Sequence, residues 1–257
     1  RVARLVAPAS RPFRTPVTDP ASGRIGREFY DSSGYFESAD LVDHDSAFQR
    51  YRVSKVLEIH QPGPADRVVD LGCGWGTFDF ALADRVGEIV GVDFSERSIA
   101  LCRQQLDAQP RANVRFLCAD AGDTGLEGAS FDVALAADLF EHVYPDDSRR
   151  VAEEAFRLLK PGGRFVTWTP HRGHILEVLK NRDIILKRDV SHVDYKSMAT
   201  MQRLLTEAGF RIEKAYYAES HVPVLRTLER LTQDLVPILR RRIAVLGQKP
   251  MDSPEEA

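Results

Sequence analysis

The stretch that decides the fold is VVDLGCGWGT at residues 68–77. An apolar run ends in an acid, Asp70, and three glycines follow at alternating positions. A short apolar run bounded by glycines is typical of a buried parallel strand. Glycine turns let backbone N–H groups approach a ligand closely, and the helix predicted from Thr77 to Val86 directs its positive end to the same place. The segment therefore predicts a site for a polar ligand at the edge of a parallel sheet.

The spacing of the glycines indicates which ligand binds. Dinucleotide-binding proteins use G-x-G-x-x-G, which seats a pyrophosphate on a helix N-terminus, whereas this chain has G-x-G-x-G. Asp70 stands two residues before the first glycine, and an acid there repels phosphate and attracts a cation. A ligand with an ammonium group is therefore favoured, and a nicotinamide-dependent oxidoreductase is disfavoured.

Length and composition narrow the class of protein. The chain has 257 residues and a net charge of −3, so it is most simply one domain with additions, and its charge does not favour nucleic acid. Its three cysteines lie inside the α/β pattern and indicate reduced thiols and a cytoplasmic location. No apolar run reaches the roughly 20 residues needed to span a bilayer.

Strands and helices alternate through the middle of the chain. Strands are predicted at Arg67–Leu71, Glu88–Val92, Val114–Cys118, Phe131–Ala136, Arg164–Trp168 and Arg211–Tyr217. The helices between and after them are predicted at Thr77–Val86, Glu96–Ala108, Ser148–Leu159 and Lys196–Ala208. This alternation predicts a doubly wound, mostly parallel α/β sheet of Rossmann-like type, with helices on both faces and an antiparallel last strand. Ligands of such sheets bind outside the carboxyl ends of the strands.

Three regions are expected along the chain. Residues 1–43 are predicted to form an irregular arm that can close as a lid, and residues 44–220 the core, with a cap insertion near 171–195. Residues 221–257 are predicted to form an amphipathic helix, Val224–Leu246, interrupted at Pro237, and a tail. The basic and apolar residues of that helix fit peripheral membrane contact, or a surface helix packed by one face.

Two further acids follow strands. Asp93 comes after the second strand, at the distance from the glycines, about 20 residues, at which an acid hydrogen-bonds a ribose diol. Asp120 follows the third strand, where it can accept the exocyclic amine of an adenine or simply serve a turn.

Together these motifs resemble the class I S-adenosylmethionine (SAM)-dependent methyltransferases. The resemblance rests on VVDLGCGWG, GVDFS, AD at 119–120, FDV at 131–133 and LLKPGGRF at 158–165, and covers roughly residues 45–218. It implies that Asp70 and the glycine turn hold the methionine part of SAM, Asp93 the ribose, and Asp120 with Ala121 the adenine edge. The full expected cofactor set is Asp70, Gly72, Cys73, Gly74, Asp93, Phe94, Asp120, Ala121 and Ala137.

The chemistry is expected just after the fourth strand, in ADLFEHV at 137–143. Asp138, Glu141 and His142 bring two acids and an imidazole together, and on a helix the two acids would share a face. In one reading His142 is a general base for an acceptor hydroxyl, or a substrate contact. In the other the three residues bind a divalent metal that lowers the pKa of that hydroxyl.

The metal reading is similar to the Glu-x-x-Glu-His pattern of metal-dependent O-methyltransferases of the ubiquinone pathway and of small-RNA 3′ ends. Those enzymes use a further histidine before a helix, which His192 matches here, although Asp138 replaces the first Glu. The metal set would be Asp138, Glu141, His142 and His192. Glu-His-Val is also similar to what many metal-free methyltransferases carry.

Other residues are expected near the acceptor. Tyr30 and Tyr35 of the arm, with His171 and His192, are predicted substrate contacts. The arm and glycine motif also look like those of cyclopropane fatty acyl synthases, although Asp93 departs from that family's uncharged residue.

The sequence therefore predicts SAM-dependent methyl transfer to a small or lipid-like acceptor, at a hydroxyl oxygen. The alternatives are C-methylation of a lipid and a SAM-binding regulator without turnover. An RNA acceptor is disfavoured by the charge balance. The oligomeric state is not predicted.

Overall fold

The computed structural model describes residues 18, 23–32, 43–44, 46–181, 189–219, 223–233 and 235–251. The described strands are β1 (Arg67–Leu71), β2 (Glu88–Asp93), β3 (Val114–Cys118), β4 (Phe131–Ala137), β5 (Leu159–Pro170), β6 (Arg211–Ala218) and β7 (Arg242–Gln248). The described α-helices are α1 (Arg27–Ser32), α2 (Ala47–Ile59), α3 (Thr77–Leu82), α4 (Glu96–Ala108), α5 (Pro145–Leu158), α6 (Ile175–Asn181), α7 (Met198–Glu207) and α8 (Pro223–Thr232). Single 3₁₀ turns occur at Ala83–Arg85 and Pro237–Leu239.

The strands described form one sheet in the order β3-β2-β1-β4-β5-β7-β6. Neighbouring strands from β3 to β5 are parallel, and β7 is antiparallel to both β5 and β6. The predicted doubly wound, mostly parallel sheet with an antiparallel last strand is therefore confirmed. The strand order reverses between β1 and β4, and this is where open α/β sheets bind their ligands.

Apolar side chains cover both faces of the sheet. On one face, residues of α2, α3 and α4 such as Ile59, Leu82 and Ile99 pack against the strands. On the other, α5 and α7 contribute residues such as Val151 and Leu205. β1 and β4 are buried on both faces, so polar groups near them can contact a ligand only where the strands end.

The predicted C-terminal helix Val224–Leu246 is wrong beyond its first half. α8 ends at Thr232, and Arg242–Gln248 is strand β7, inserted between β5 and β6. A strand buried on both faces reads as a continuous apolar run without alternation. Residues 243–246 therefore look like a continuation of the apolar pattern of the predicted helix. They form a strand because they pair with β5 and β6, which are distant in sequence.

The segment after β4 also differs from its prediction. Residues 138–144 form turns, and α5 begins at Pro145. Asp138 has a left-handed φ of 56°, which ends the strand at once and prevents a helical start. Asp138 and Glu141 therefore do not share a helix face.

Parts of the chain flanking the core are described only in sections. α1 lies within the predicted arm, and Tyr35 falls outside the described residues. No helix in the described ranges has the length and apolar character needed to cross a membrane. Leu231 of α8 and the nearby Leu235 are 73% and 84% exposed, and membrane contact through this segment stays a prediction.

The assignment of β7 can be tested with one core substitution. Ile243→Ala is expected to lower the free energy of unfolding by about 2–5 kcal/mol, because Ile243 is fully buried in the sheet. Leu235→Ala, at an exposed position, should change it by less than about 0.5 kcal/mol. Urea denaturation measures both, and a small effect of Ile243→Ala would contradict the strand.

Candidate functional site

A cavity of about 680 Å³ opens at the carboxyl ends of β1 and β4. Most of the expected cofactor residues lie in its wall, namely Gly72, Cys73, Gly74, Asp93, Phe94, Asp120, Ala121 and Ala137. The topology alone explains this, because parallel strands bring the residues that follow them to one edge. Their contact with a cofactor stays a prediction.

The glycine turn is shaped for close approach. Gly72, Gly74 and Gly76 have left-handed φ angles of 76°, 53° and 75°. A side chain at Gly72 would also collide with Leu139, whose Cδ1 lies 2.7 Å from the Cβ position. The turn is fixed to β2, because the N–H groups of Gly72 and Cys73 donate to the carbonyl of Val92 at 2.8 and 3.0 Å.

Asp93 lies beside this turn with its carboxylate held in place. It accepts hydrogen bonds from the backbone N–H groups of Gly74 at 3.0 Å and Ser95 at 2.9 Å. Burial raises the pKa of Asp93 to about 6, although these two hydrogen bonds oppose the increase. A ligand hydroxyl that donates to this carboxylate would be bound by an oriented, ionised acceptor at neutral pH.

The expectation for Asp70 needs correction. Its side chain is 1% exposed and does not line the cavity, because it points under the turn towards Asp79, which is also buried. Burial raises the pKa of Asp70 to about 7, and burial together with Asp70 raises the pKa of Asp79 well above its usual value. The two carboxyls form a buried pair beneath the turn rather than a contact for a bound ammonium group.

Asp138 also differs from its expected role. Its carboxylate is clamped between two guanidinium groups, those of Arg52 at 2.8 Å and of Arg242. Burial alone would raise the pKa of Asp138, but Arg242 and Arg52 lower it below its usual value. An aspartate held in this way positions two cations, and it is not part of the metal-binding group described below.

His142 lies in the wall of the cavity, and neighbouring polar groups orient its ring. Its Nδ1 is 3.1 Å from the carbonyl oxygen of Ser191, which can only accept, so Nδ1 carries the proton and Nε2 has the lone pair. The Tyr30 hydroxyl lies 3.3 Å from the same nitrogen. Burial, with a smaller contribution from the neighbouring His192, lowers the pKa of His142 to about 4. The imidazole is neutral at neutral pH.

His192 is oriented by two residues that the sequence analysis missed. The hydroxyl of Tyr195 donates to the Glu177 carboxylate at 2.9 Å, so its oxygen accepts from Nδ1 of His192 at 2.6 Å. Nε2 of His192 lies 3.5 Å from the carboxylate of Asp189, a further acid in the wall of the cavity. The two imidazole rings contact each other edge to face, with centroids 4.7 Å apart.

Glu141, His142 and His192 form the one group of potential metal ligands found within the described residues. One ligand atom from each lies within 4.8 Å of the others. Metal-binding histidines usually donate their second N–H to a carbonyl or another acceptor, as both do here. Glu141 is 1% exposed, accepts from the Thr169 hydroxyl at 2.9 Å, and has a pKa raised well above its usual value by burial and by Asp138. The donor set fits a divalent ion.

Two other predicted residues occupy less central positions. His171 does not line the cavity, since its Nδ1 lies 3.1 Å from the carbonyl of Arg240 and its ring packs on Tyr217. Its predicted substrate contact needs correction on that ground. Asp120 does line the cavity, half exposed, with Arg150 at 3.3 Å.

Arg52 is a wall residue that the sequence analysis did not place in the site. Arg52 belongs to α2, and its guanidinium carbon lies 5.2 Å from the centroid of the Phe78 ring of α3. Its positive charge lowers the pKa of Asp70 below the value that burial alone would produce. It therefore lies on the β1 side of the cavity. The one signal in the sequence is that Arg52 lies shortly before the first strand. This signal is weak, because an arginine in a helix is usually exposed to solvent.

The helix α1 covers the same side of the site. Phe29 and Tyr30 pack with Trp75 and Phe94 in a small apolar cluster. Asp31 accepts a hydrogen bond from the Ser95 hydroxyl at 2.6 Å, at the first turn of α4. Tyr30, an expected substrate residue, lies in the cavity wall.

The wall chemistry fits SAM. A ribose diol needs an acceptor such as Asp93, an adenine needs an acceptor and aromatic contact such as Asp120 and Phe94, and a methionine carboxylate needs a cation such as Arg52. A wall in which six acids outnumber three arginines suits a zwitterion with an added positive charge better than it suits a pyrophosphate.

Comparison with known proteins supports this interpretation. Residues 68–163 match the family model described as "Methyltransferase domain". A protein of Mycolicibacterium smegmatis named as a probable S-adenosylmethionine-dependent methyltransferase is 30% identical over 173 residues, which are 67% of this chain and 62% of that protein. The demethylmenaquinone methyltransferase of Clavibacter sepedonicus is 32% identical over 145 residues, 56% of this chain and 57% of that protein. The chain thus spans about three-fifths of the length of these relatives.

A solved structure shares the fold. The geranyl diphosphate C-methyltransferase of Streptomyces coelicolor A3(2), in complex with Mg²⁺, geranyl diphosphate and S-adenosyl-L-homocysteine, superposes with a TM-score of 0.60. The match covers 78% of this chain and 77% of that chain at 18% sequence identity. At this identity the likeness concerns the fold alone.

The buried carboxyl pair makes stability depend on pH. In the unfolded chain Asp70 and Asp79 ionise near their usual pKa of 3.8, whereas in the folded chain both pKa values are raised. The pair therefore destabilises the fold increasingly as pH rises from about 4 to about 7. Asp79→Asn is expected to increase the free energy of unfolding at pH 8 by roughly 1–3 kcal/mol and to change it little at pH 4. Asp107→Asn, at an exposed position of α4, should have no such pH-dependent effect in urea denaturation. An equal effect of Asp79→Asn at both pH values would contradict the raised pKa values of the pair.

Proposed function

We propose that the chain transfers a methyl group from SAM to a small or lipid-like acceptor, at a hydroxyl oxygen. Residues 68–163 match a methyltransferase domain, and the chain is similar to a probable SAM-dependent methyltransferase. The observation that carries the proposal is the convergence of Glu141, His142 and His192 on the cavity that contains the glycine turn and Asp93. A cofactor pocket and a set of groups able to handle an acceptor hydroxyl thus share one space.

On the cofactor side, Asp93 would hold the ribose, and the N–H groups of the glycine turn and Arg52 would hold the methionine end. When bound, SAM supplies an electrophilic methyl group. The α1 residues Phe29 and Tyr30 would cover the cofactor and exclude water, which protects the transfer from competing attack. The hydrogen bond from the Ser95 hydroxyl to Asp31 of α1 supports this role.

On the acceptor side, the paired imidazoles would contact the hydroxyl that receives the methyl group. A general base works best when its pKa lies near the operating pH, and the pKa of His142, lowered to about 4, is far below it. A neutral imidazole whose Nδ1–H donates a hydrogen bond to a carbonyl oxygen is instead suited to bind a metal. A divalent ion held by Glu141, His142 and His192 would lower the pKa of an acceptor hydroxyl.

C-methylation is the second candidate function. It is supported by the arm and glycine motif of the sequence, which resemble those of cyclopropane fatty acyl synthases. Product analysis by NMR separates the two, because an O-methyl and a C-methyl group resonate at different shifts.

Cofactor binding is the first step to test. Isothermal titration should show that the chain binds S-adenosylhomocysteine (SAH), the product form of SAM, and that Asp93→Ala binds it about tenfold to a hundredfold more weakly, because a charge-assisted hydrogen bond is lost. Asp107→Ala serves as the matched exposed control. Absence of binding by the unmodified chain, or equal binding by Asp93→Ala, would overturn the proposal.

Metal binding is tested separately from activity. Titration with Mn²⁺ followed by electron paramagnetic resonance should show binding that His192→Ala and Glu141→Gln weaken by about tenfold or more. Tyr195→Phe is expected to weaken it in the same direction, since the orienting partner of His192 is lost. His171→Ala, outside the cavity, should bind as the unmodified chain does, and Mn²⁺ binding that ignores all these changes would contradict the site.

A further inference from the structure

Arg242 occupies the acceptor side of the cavity without an assigned role. It is the first residue of β7 and pairs with Pro170, the last residue of β5. Because β7 is antiparallel, its first residue lies at the edge where the parallel strands end. Arg242 therefore lines the cavity next to β5, whereas Arg52 enters from the β1 side.

The guanidinium group of Arg242 has donors to spare. It carries five N–H bonds, and among the described residues its hydrogen-bonded partner is Asp138, reached through Nη1 alone. One face of the group lies over the Trp168 ring, with Cζ 4.3 Å from the ring centroid. Arg52, by contrast, uses Nε and Nη2 on Asp138 and Nη1 on Gln49.

The spare donors of Arg242 are accessible to a ligand. The side chain is 14% exposed and lines the cavity, so a molecule bound there can reach these N–H groups. The planar edge of a guanidinium matches the two oxygens of a carboxylate, which it binds through parallel hydrogen bonds.

Charged groups of both signs surround Arg242. Asp138 is one carboxylate shared by two permanently charged guanidinium groups, which leaves one positive charge over. Glu141 and Glu177 also face Arg242. The Glu141 carboxyl accepts from the Thr169 hydroxyl and the Glu177 carboxylate accepts from the Tyr195 hydroxyl, so both have partners other than Arg242.

We propose that the methyl acceptor carries a carboxylate, and that Arg242 binds it while Asp138 and Trp168 hold the guanidinium in place. The inference rests on the proposed function only in that the acceptor binds in this cavity. It narrows the acceptor to an acid, with the receiving group placed towards His142 and His192 and the carboxylate towards β5 and β7.

Benzoate and benzamide are probes that share a shape and differ in charge. Their affinities for the full chain are measured by ligand-observed NMR, with and without saturating SAH. Benzoate is expected to bind about tenfold or more tightly than benzamide, and Arg242→Gln should abolish that preference. Arg242→Lys should keep part of it, because the charge remains but the paired hydrogen bonds do not. Arg240→Gln, a neighbour outside the cavity, should keep all of it.

Several outcomes would overturn the inference. They are equal binding of the two probes, no binding of benzoate, and a preference that survives in Arg242→Gln. If inorganic phosphate displaces benzoate at a lower concentration than acetate does, the group that Arg242 recognises is a phosphate and not a carboxylate. Circular dichroism checks that Arg242→Gln folds, and Arg242→Lys provides the second test if it does not.

The controls separate this inference from the proposed function. The affinity of the unmodified chain for SAH is measured alongside. If the unmodified chain binds SAH but shows no preference for benzoate, the role of Arg242 fails and methyl transfer stands. If benzoate is preferred but SAH does not bind, the proposed function fails instead.

Discussion

The structure depends on the parallel pairing of β1 with both β2 and β4. Burial of β1 from both sides leaves no exposed face for chemistry, so the chain can present functional groups only where its strands end. The order reverses between β1 and β4, which opens a crevice there. The left-handed turn at Gly72 follows from this, because the chain must leave a buried strand and expose backbone donors within a few residues.

Charges in the crevice are organised in two layers. The outer layer faces the ligands and contains Asp93 and the paired imidazoles. The inner layer holds the outer one in place: Asp138 fixes two arginines, and Glu177 with Tyr195 fixes His192. Each inner contact satisfies a buried polar group that would otherwise destabilise the fold. The arrangement orients donors and lone pairs before any ligand arrives, which is how such sites stabilise charge that develops during a reaction.

Much of the core could be predicted from sequence, because β1 to β4 are short apolar runs whose ends are marked by glycine or an acid. The residues after those strands, Asp93 above all, could be placed because topology brings strand ends together. The roles of Asp70 and Asp138 could not, since the direction of a side chain after a strand is set by local φ angles and by partners distant in sequence. Arg242 was hidden for a related reason: β7 is extended only because β5 and β6 pair with it.

The central claim is that one crevice at the β1–β4 reversal holds both SAM and the acceptor. A crystal structure of the chain with SAH tests it most directly. The account predicts SAH in the cavity, with its ribose hydroxyls within hydrogen-bonding distance of Asp93 and its sulfur turned towards the space next to His142. SAH bound elsewhere, or with its ribose away from Asp93, would contradict it.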